Sequence, residues 1–341
     1  MKTNPTTIRI QEVARTAGVS VSTVSRVLNG KDDVAATTKA HVRRIIDELG
    51  YSSSLAAKGM RSHRTGVIGV VIFDLSLSFN IEIVRGIDQM VQSHSYDLMV
   101  YTSNRANHRD DPTWERKVVN QLNGRVVDGI IIVTPTTTTL PTHYPLVTIE
   151  PCDEGDFPAI LGANREGTAV AVRYLIGLGH QRIGMIGGAA RLLSARQRRQ
   201  GYEEALHAAG LPVLAELYAD GNYERETARV AARQLLTLPH PPTAILAAND
   251  QSAFAVLEVA ASLGIAIPQA LSVIGFDNTP ESTYTIPPLT TVDQAIGNMG
   301  SHAAELLVAL IEGKPVEKRL YELPTRLVVR DSCRPAPARS A

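Results

Sequence analysis

The chain has 341 residues, 44% of them hydrophobic and 20% charged, enough for two or three domains with ordinary cores. No apolar run approaches the ~18 residues of a membrane helix, and the start, MKTNPTTIRIQ, lacks the apolar stretch of a signal peptide, so a membrane protein is excluded and a cytoplasmic one expected. A net charge of zero hides a division: residues 1–64 carry eleven Lys and Arg against five Asp and Glu, the remainder 23 against 29, so one end of the chain suits a polyanion such as DNA.

The run IQEVARTAGVSVSTVSRVLN, residues 10–29, reads as two short helices joined at a tight corner. Val13, Ala14 and Ala17 fall on one face of the first helix by their spacing of three and four. Gly18 ends that helix, because a sharp exit needs positive φ, and Val19 turns inward. Ser20 is placed to cap the second helix, Val21 to Leu28, which buries Val24, Val27 and Leu28 and leaves Val21, Ser22, Ser25 and Arg26 outward. This is a helix-turn-helix arrangement, although any αα-corner needs a glycine and apolar contacts. Thr38, Val42, Ile45, Ile46 and Leu49 make a third amphipathic helix that closes a small core, and Gly50 ends it. Residues 51–64, YSSSLAAKGMRSHR, read as a flexible linker or a conditional helix.

From Thr65 the texture changes. GVIGVVIF reads as a buried parallel strand. A helix from Ile81 to His94, the strand DLMVYTS, a helix from Thr113 to Leu122 and the strand VDGIIIVTP follow. A second series begins near Gly167 with the helix AVRYLIGLG and the strand RIGMIGG. It continues through RRQGYEEALHAAG, a short strand around Leu217 to Ala219, ETARVAARQLLTL, TAILAAND, SAFAVLEVAASLG and LSVIGFD. Strands alternating with helices mean βαβ units, and two such lobes in tandem make a clamp for a small molecule. The helix from Met299 to Ile311 is expected to return to the first lobe.

Enzyme signatures are lacking. GMIGGAAR has neither a dinucleotide nor a P-loop glycine pattern, and HExxH and GxSxG do not occur. Cys152 and Cys333 stand far apart without CxxC spacing, so no disulfide framework or zinc site is suggested, and no cofactor is expected. His180, in LGHQRIG, reads as a structural turn contact.

The run IQEVARTAGVSVSTVSRVLNG, followed by LGY and a linker before TGVIGVV, resembles the lactose/galactose repressor family of bacterial transcription regulators, and the likeness extends over nearly the whole chain. It implies an α/β protein with a three-helix DNA-binding head at 1–50, a hinge at 51–64 and a periplasmic-binding-protein-like (type I) core of doubly wound parallel sheets at 65–341. Its first lobe would span about 65–162 and 296–322, its second about 163–292 and 323–335. By the same resemblance Val21, Ser22 and Arg26 read bases, which suits arginine for guanine and valine for a thymine methyl. Ser20, Thr23, Ser25, Asn29 and Tyr51 match phosphate-holding positions. Ala57, Lys58, Met60 and Arg61 would enter the minor groove, with Met60 as the apolar wedge. The segment departs from the family pattern at Ser53, Ser54 and Met60, and Ala35 stands where the family usually has a serine cap.

The family's effector positions carry over to Phe79, Asn80, Glu150, Arg198, Tyr223, Asn249, Asp277 and Gln294. Amide, carboxylate and guanidinium groups with an aromatic face suit a carbohydrate. The implied protein is a homodimeric repressor of carbohydrate-utilisation genes, reading a pseudo-palindromic operator under control of a small sugar. A purine- or nucleoside-responsive regulator of the same family stays open. A solute-binding protein, or a sugar-processing enzyme with a DNA-binding head, is the reading from another class.

Overall fold

The computed structural model describes residues 8–28, 31–51, 64–102, 111–122, 126–140 and 143–337, which form two compact units meeting in sequence at Thr65 and Gly66. The first unit holds α1 (Ile10–Ala17), α2 (Val21–Leu28) and α3 (Ala36–Leu49). Gly18 adopts φ 66°, and the turn it makes lets the Val19 amide reach back to the Ala14 carbonyl at 3.0 Å. Ser20 Oγ accepts from the Thr23 amide at 3.1 Å, capping α2. Val13, Ala14, Ala17, Val24, Val27, Val42 and Ile45 form the core, with Leu28, Ile46, Leu49 and Tyr51 packed at its edge. Leu28 is thus half-buried where the sequence pattern has it buried, since it closes the last turn of a short helix.

Ala35 precedes α3 and offers no side-chain cap, so amide donors of its first turn lack one. Ala35→Ser is expected to stabilise the head by about 1 kcal/mol, read as a higher midpoint of its thermal transition. An unchanged midpoint would mean that solvent already satisfies that helix end.

In the second unit, β1 (Val67–Ile72), β2 (Asp97–Thr102), β3 (Gly129–Val133), β4 (Leu146–Ile149), β5 (Ala159–Gly162) and β11 (Leu320–Leu323) form one sheet in the order β11-β5-β4-β3-β1-β2. β6 (Ile183–Gly187), β7 (Tyr218–Asp220), β8 (Ala244–Ala247), β9 (Ser272–Asp277), β10 (Thr290–Asp293) and β12 (Arg326–Val328) form the other, in the order β12-β10-β9-β8-β6-β7. The two orders are the same doubly wound topology repeated, all parallel except where β12 runs against β10. Period-two alternation divides β1 between two cores. Ile68, Val70 and Ile72 pack toward α4 (Ser78–Ser93) and α10 (Ile296–Ile311), Val67 and Val71 toward α5 (Pro112–Leu122). In the second sheet, α6 (Asn164–Gly177) and α7 (Leu193–Ala208) cover one face, and α8 (Arg225–Leu236) and α9 (Asp250–Ser262) the other.

The chain crosses between the sheets at 163, at 294–295 and at 324–325. The crossings brace one another: the Ala163 amide bonds the Leu323 carbonyl at 2.8 Å, and Arg326 grips Asp293 through two nitrogens at 3.1 and 3.0 Å. α4 and α10 each start three residues before the apolar period suggests. For α10 the cause is local: the Asp293 carboxylate accepts from the Ala295 amide at 2.8 Å and starts the turn.

His180 is buried, with Nδ1 2.8 Å from Thr243 Oγ1 and Nε2 3.1 Å from both Ser272 Oγ and the Arg334 carbonyl. It ties the C-terminal segment to the second sheet, and burial pushes its pKa down. A lowered folded pKa contributes stability above the unfolded value of about 6.5 that is lost as pH falls below it. The urea midpoint of this unit is expected to drop between pH 7 and 5, with a shallower drop in His180→Gln; equal slopes would show that His180 is not the group responsible.

Candidate functional site

Two sites arise, one in each unit. In the head, Val21 and Ser22 are exposed on the first turn of α2 and Arg26 one turn further on, where its guanidinium lies 3.4 Å from the exposed Asp33 carboxylate. An exposed pair of this kind contributes little to stability, so Arg26 can exchange Asp33 for another acceptor at small cost. Ser20 Oγ lies 2.7 Å from Ser22 Oγ and 2.9 Å from Thr23 Oγ1, so three hydroxyls gather at the start of α2, where the helix dipole favours an anion. Ser25 is half-buried, and Tyr51 packs on the edge of the head core. Asn29, Ala57, Lys58, Met60 and Arg61 lie outside the described residues.

In the second unit a cleft opens at the C-terminal ends of both sheets. This is where doubly wound sheets place ligands, beside the reversal of strand order between β1 and β3 and between β6 and β8. All eight residues singled out for the effector line it: Phe79 and Asn80 from α4, Glu150 after β4, Arg198 from α7, Tyr223 before α8, Asn249 after β8, Asp277 at the end of β9, and Gln294 at a crossing.

Arg198 sits at the floor, only 3% exposed. Its Nε donates to Asn164 Oδ1 at 2.7 Å, Nη1 to the Ala248 carbonyl, and Nη2 to Gln294 Oε1 at 3.4 Å. Nη1 also lies 3.7 Å from Asp277 Oδ1, the oxygen that accepts from Gln294 Nε2 at 2.6 Å. The guanidinium stacks 3.6 Å from the centre of the Phe276 ring and 5.5 Å from that of Tyr223. Burial raises the Asp277 carboxyl well above the ordinary aspartate range, with Arg198 opposing.

Other groups are held in place from outside the cleft. Asn249 caps α9, accepting from the Ser252 amide at 2.9 Å while its Nδ2 donates to the Tyr223 carbonyl at 3.3 Å. Asn80 Nδ2 donates to the Asp74 carbonyl at 2.6 Å. Glu150 is buried, with Oε1 accepting from the Gly162 amide at 3.2 Å and Oε2 without a hydrogen-bond partner. Tyr223 can lie as it does because residue 188 is glycine; a Cβ there would overlap its ring.

Several residues that shape this cleft were not visible in the sequence patterns: Asn164, Phe276, Ser194, Thr134 and Asn222. One signal could mark part of the site, since Thr134, Glu150, Asn222, Tyr223 and Asp277, all lining the cleft, hold positive φ without being glycine. Such strain gathers at ligand sites and persists only where surrounding structure imposes it.

A two-lobed small-molecule clamp carried on the same chain as a helix-turn-helix unit defines a ligand-controlled DNA-binding regulator. Residues 9–54 match the bacterial regulatory proteins of the lacI family, and residues 172–333 the periplasmic binding protein-like domain. Catabolite control protein A of Priestia megaterium is 32% identical over 340 residues, covering 95% of this chain and 99% of that protein. The HTH-type transcriptional repressor PurR of Vibrio vulnificus (strain CMCP6) is 31% identical over 332 residues, covering 95% and 98%. Among solved structures, the Lac repressor dimer bound to operator and the anti-inducer ONPF superposes with a TM-score of 0.82 at 28% identity, covering 96% and 99%. The transcriptional regulator CelR in complex with cellobiose gives 0.71 at 29%, covering 95% and 99%. The chain belongs to the lacI family of bacterial transcriptional regulators.

Proposed function

We propose that this regulator is a repressor of carbohydrate-utilisation genes whose operator affinity is set by a sugar held in the cleft of the second unit. The observation that carries the reading is the Glu150 carboxylate, buried at the cleft with one oxygen unpartnered, together with Arg198, Asp277 and Asn249. A buried acceptor without a partner costs about 1 to 3 kcal/mol, which a ligand hydroxyl recovers. Two carboxylates accept from sugar hydroxyls, Arg198 and Asn249 donate to them, and Phe79 and Tyr223 offer faces to the apolar side of a pyranose. Ligand contacts from both lobes change their relative angle, and β1 begins three residues after the 51–64 segment ends, which gives a route to the head. The expected coupling is about 1 to 3 kcal/mol, or about 5- to 150-fold in operator affinity.

In the head, Val21, Ser22 and Arg26 read bases, and Ser20, Thr23, Ser25, Asn29 and Tyr51 hold phosphates. Ala57, Lys58, Met60 and Arg61 serve the minor groove. The working unit is a homodimer on a pseudo-palindrome. Tyr284 and Ile286, 83% and 96% exposed and two residues apart before β10, support a self-association face that Tyr284→Asp would weaken.

The test is selection of bound fragments from a randomised DNA library, then titration of the selected site against mono- and disaccharides, with hypoxanthine and guanine as competing ligands. A symmetric site whose affinity one sugar changes supports the reading. A response to the purines alone overturns the sugar assignment while leaving DNA recognition standing.

A further inference from the structure

Asn164, the first residue of α6, stands directly after the first crossing between the lobes; it is fully buried and does not line the cleft. Both ends of its amide are engaged: Oδ1 accepts from Arg198 Nε at 2.7 Å, and Nδ2 donates to the Gly162 carbonyl at 2.9 Å. The Gly162 amide in turn donates to Glu150 Oε1 at 3.2 Å. An unbroken run of hydrogen bonds through residues 162 and 164 therefore joins the carboxylate that the first lobe brings to the cleft with the guanidinium that the second lobe brings. On its other side Arg198 meets the second crossing through Gln294. The third crossing is bound to the first, where the Ala163 amide donates to the Leu323 carbonyl at 2.8 Å and the Thr325 hydroxyl to the Ala163 carbonyl at 3.4 Å.

Holding Arg198 for ligand contact alone would need only acceptors from its own lobe, and the Ala248 carbonyl serves Nη1 in that way. Nε takes its partner from the crossing instead. Leaving the Asn164 amide or the Gly162 carbonyl unpaired inside the protein is costly, so a displacement of Arg198 carries the crossing along with it. We infer that Asn164 is the positioning residue that couples the effector cleft to the lobe angle: a ligand that draws on Arg198 and Glu150 turns the first crossing through Asn164. The inference rests on the reading of the cleft as the effector site, whatever the chemical class of the effector.

Asn164→Asp separates the two halves of this role. At pH 8 a carboxylate facing Arg198 accepts from it as the amide oxygen does, but it has no donor for the Gly162 carbonyl. The full-length protein would be titrated onto its selected DNA site alone and with saturating glucose, galactose, ribose, cellobiose, lactose, hypoxanthine or guanine. The quantity read is the factor by which a compound changes operator affinity, in the parent and in the variant. Saturation takes any loss of ligand affinity out of the comparison, so a residue that only holds the binding site together leaves this factor as it is in the parent. Asn164→Asp is expected to shrink the factor at least about threefold. A variant that keeps the parent's full factor at saturation overturns the inference and leaves the effector cleft standing. Should Asn164→Asp fail to fold, Asn164→Ala, which removes both bonds, is read in the same way with the same two outcomes. A parent protein whose operator affinity none of these compounds changes overturns the effector reading of the cleft, and this inference with it.

Discussion

Arg198→Ala is expected to weaken sugar binding at least about 30-fold, and by up to several thousandfold, while the protein still binds its operator. The range corresponds to removing one member of a buried, hydrogen-bonded charge pair, which costs about 2 to 5 kcal/mol. Arg198 is only 3% exposed, and without it Asp277 loses its opposite charge. Arg198→Lys should recover little of the loss. Only a planar fork reaches Asn164, the Ala248 carbonyl and Gln294 together while stacking on Phe276. Operator titrations with and without the active sugar check this, and a variant that keeps the full response would place the ligand elsewhere.

Val24→Asp is expected to abolish operator binding, at least about a thousandfold, without altering sugar binding. Val24 is fully buried at the centre of a core of seven small or medium side chains. A carboxylate there has no partner among the residues of that core, and the cost of several kcal/mol is comparable with the whole stability of so small a unit. The second unit has its own cores, so its thermal transition and ligand affinity should stay as in the parent protein. Loss of both transitions together would mean that the units do not fold independently.

Much of the head is legible in order. Gly18, Ser20 and the three- and four-residue spacing of Val13, Ala17, Val24 and Val27 act within a few residues of themselves, and the corner they make follows from local sterics and capping. The buried strands read the same way: VIGVVI has no polar face, so it belongs in the middle of a parallel sheet. Edge and crossing strands do not read so. AILG, TTVD, LYEL and RLV are too short to show a period, and they become strands because β4, β9, β5 and β10 supply hydrogen-bonding edges.

The effector cleft divides along the same line. Sequence alone determined the residue types and, through the family resemblance, the eight positions that line one cavity. Only the tertiary structure decided that Asn164 and Phe276 hold Arg198 from two sides, that Gly188 makes room for Tyr223, and that Trp114 and Glu115 wall a chamber beside the cleft. Those contacts join residues tens of positions apart. No local period or motif encodes such distances; they exist only once two copies of one sheet topology are packed and the chain has crossed between them three times.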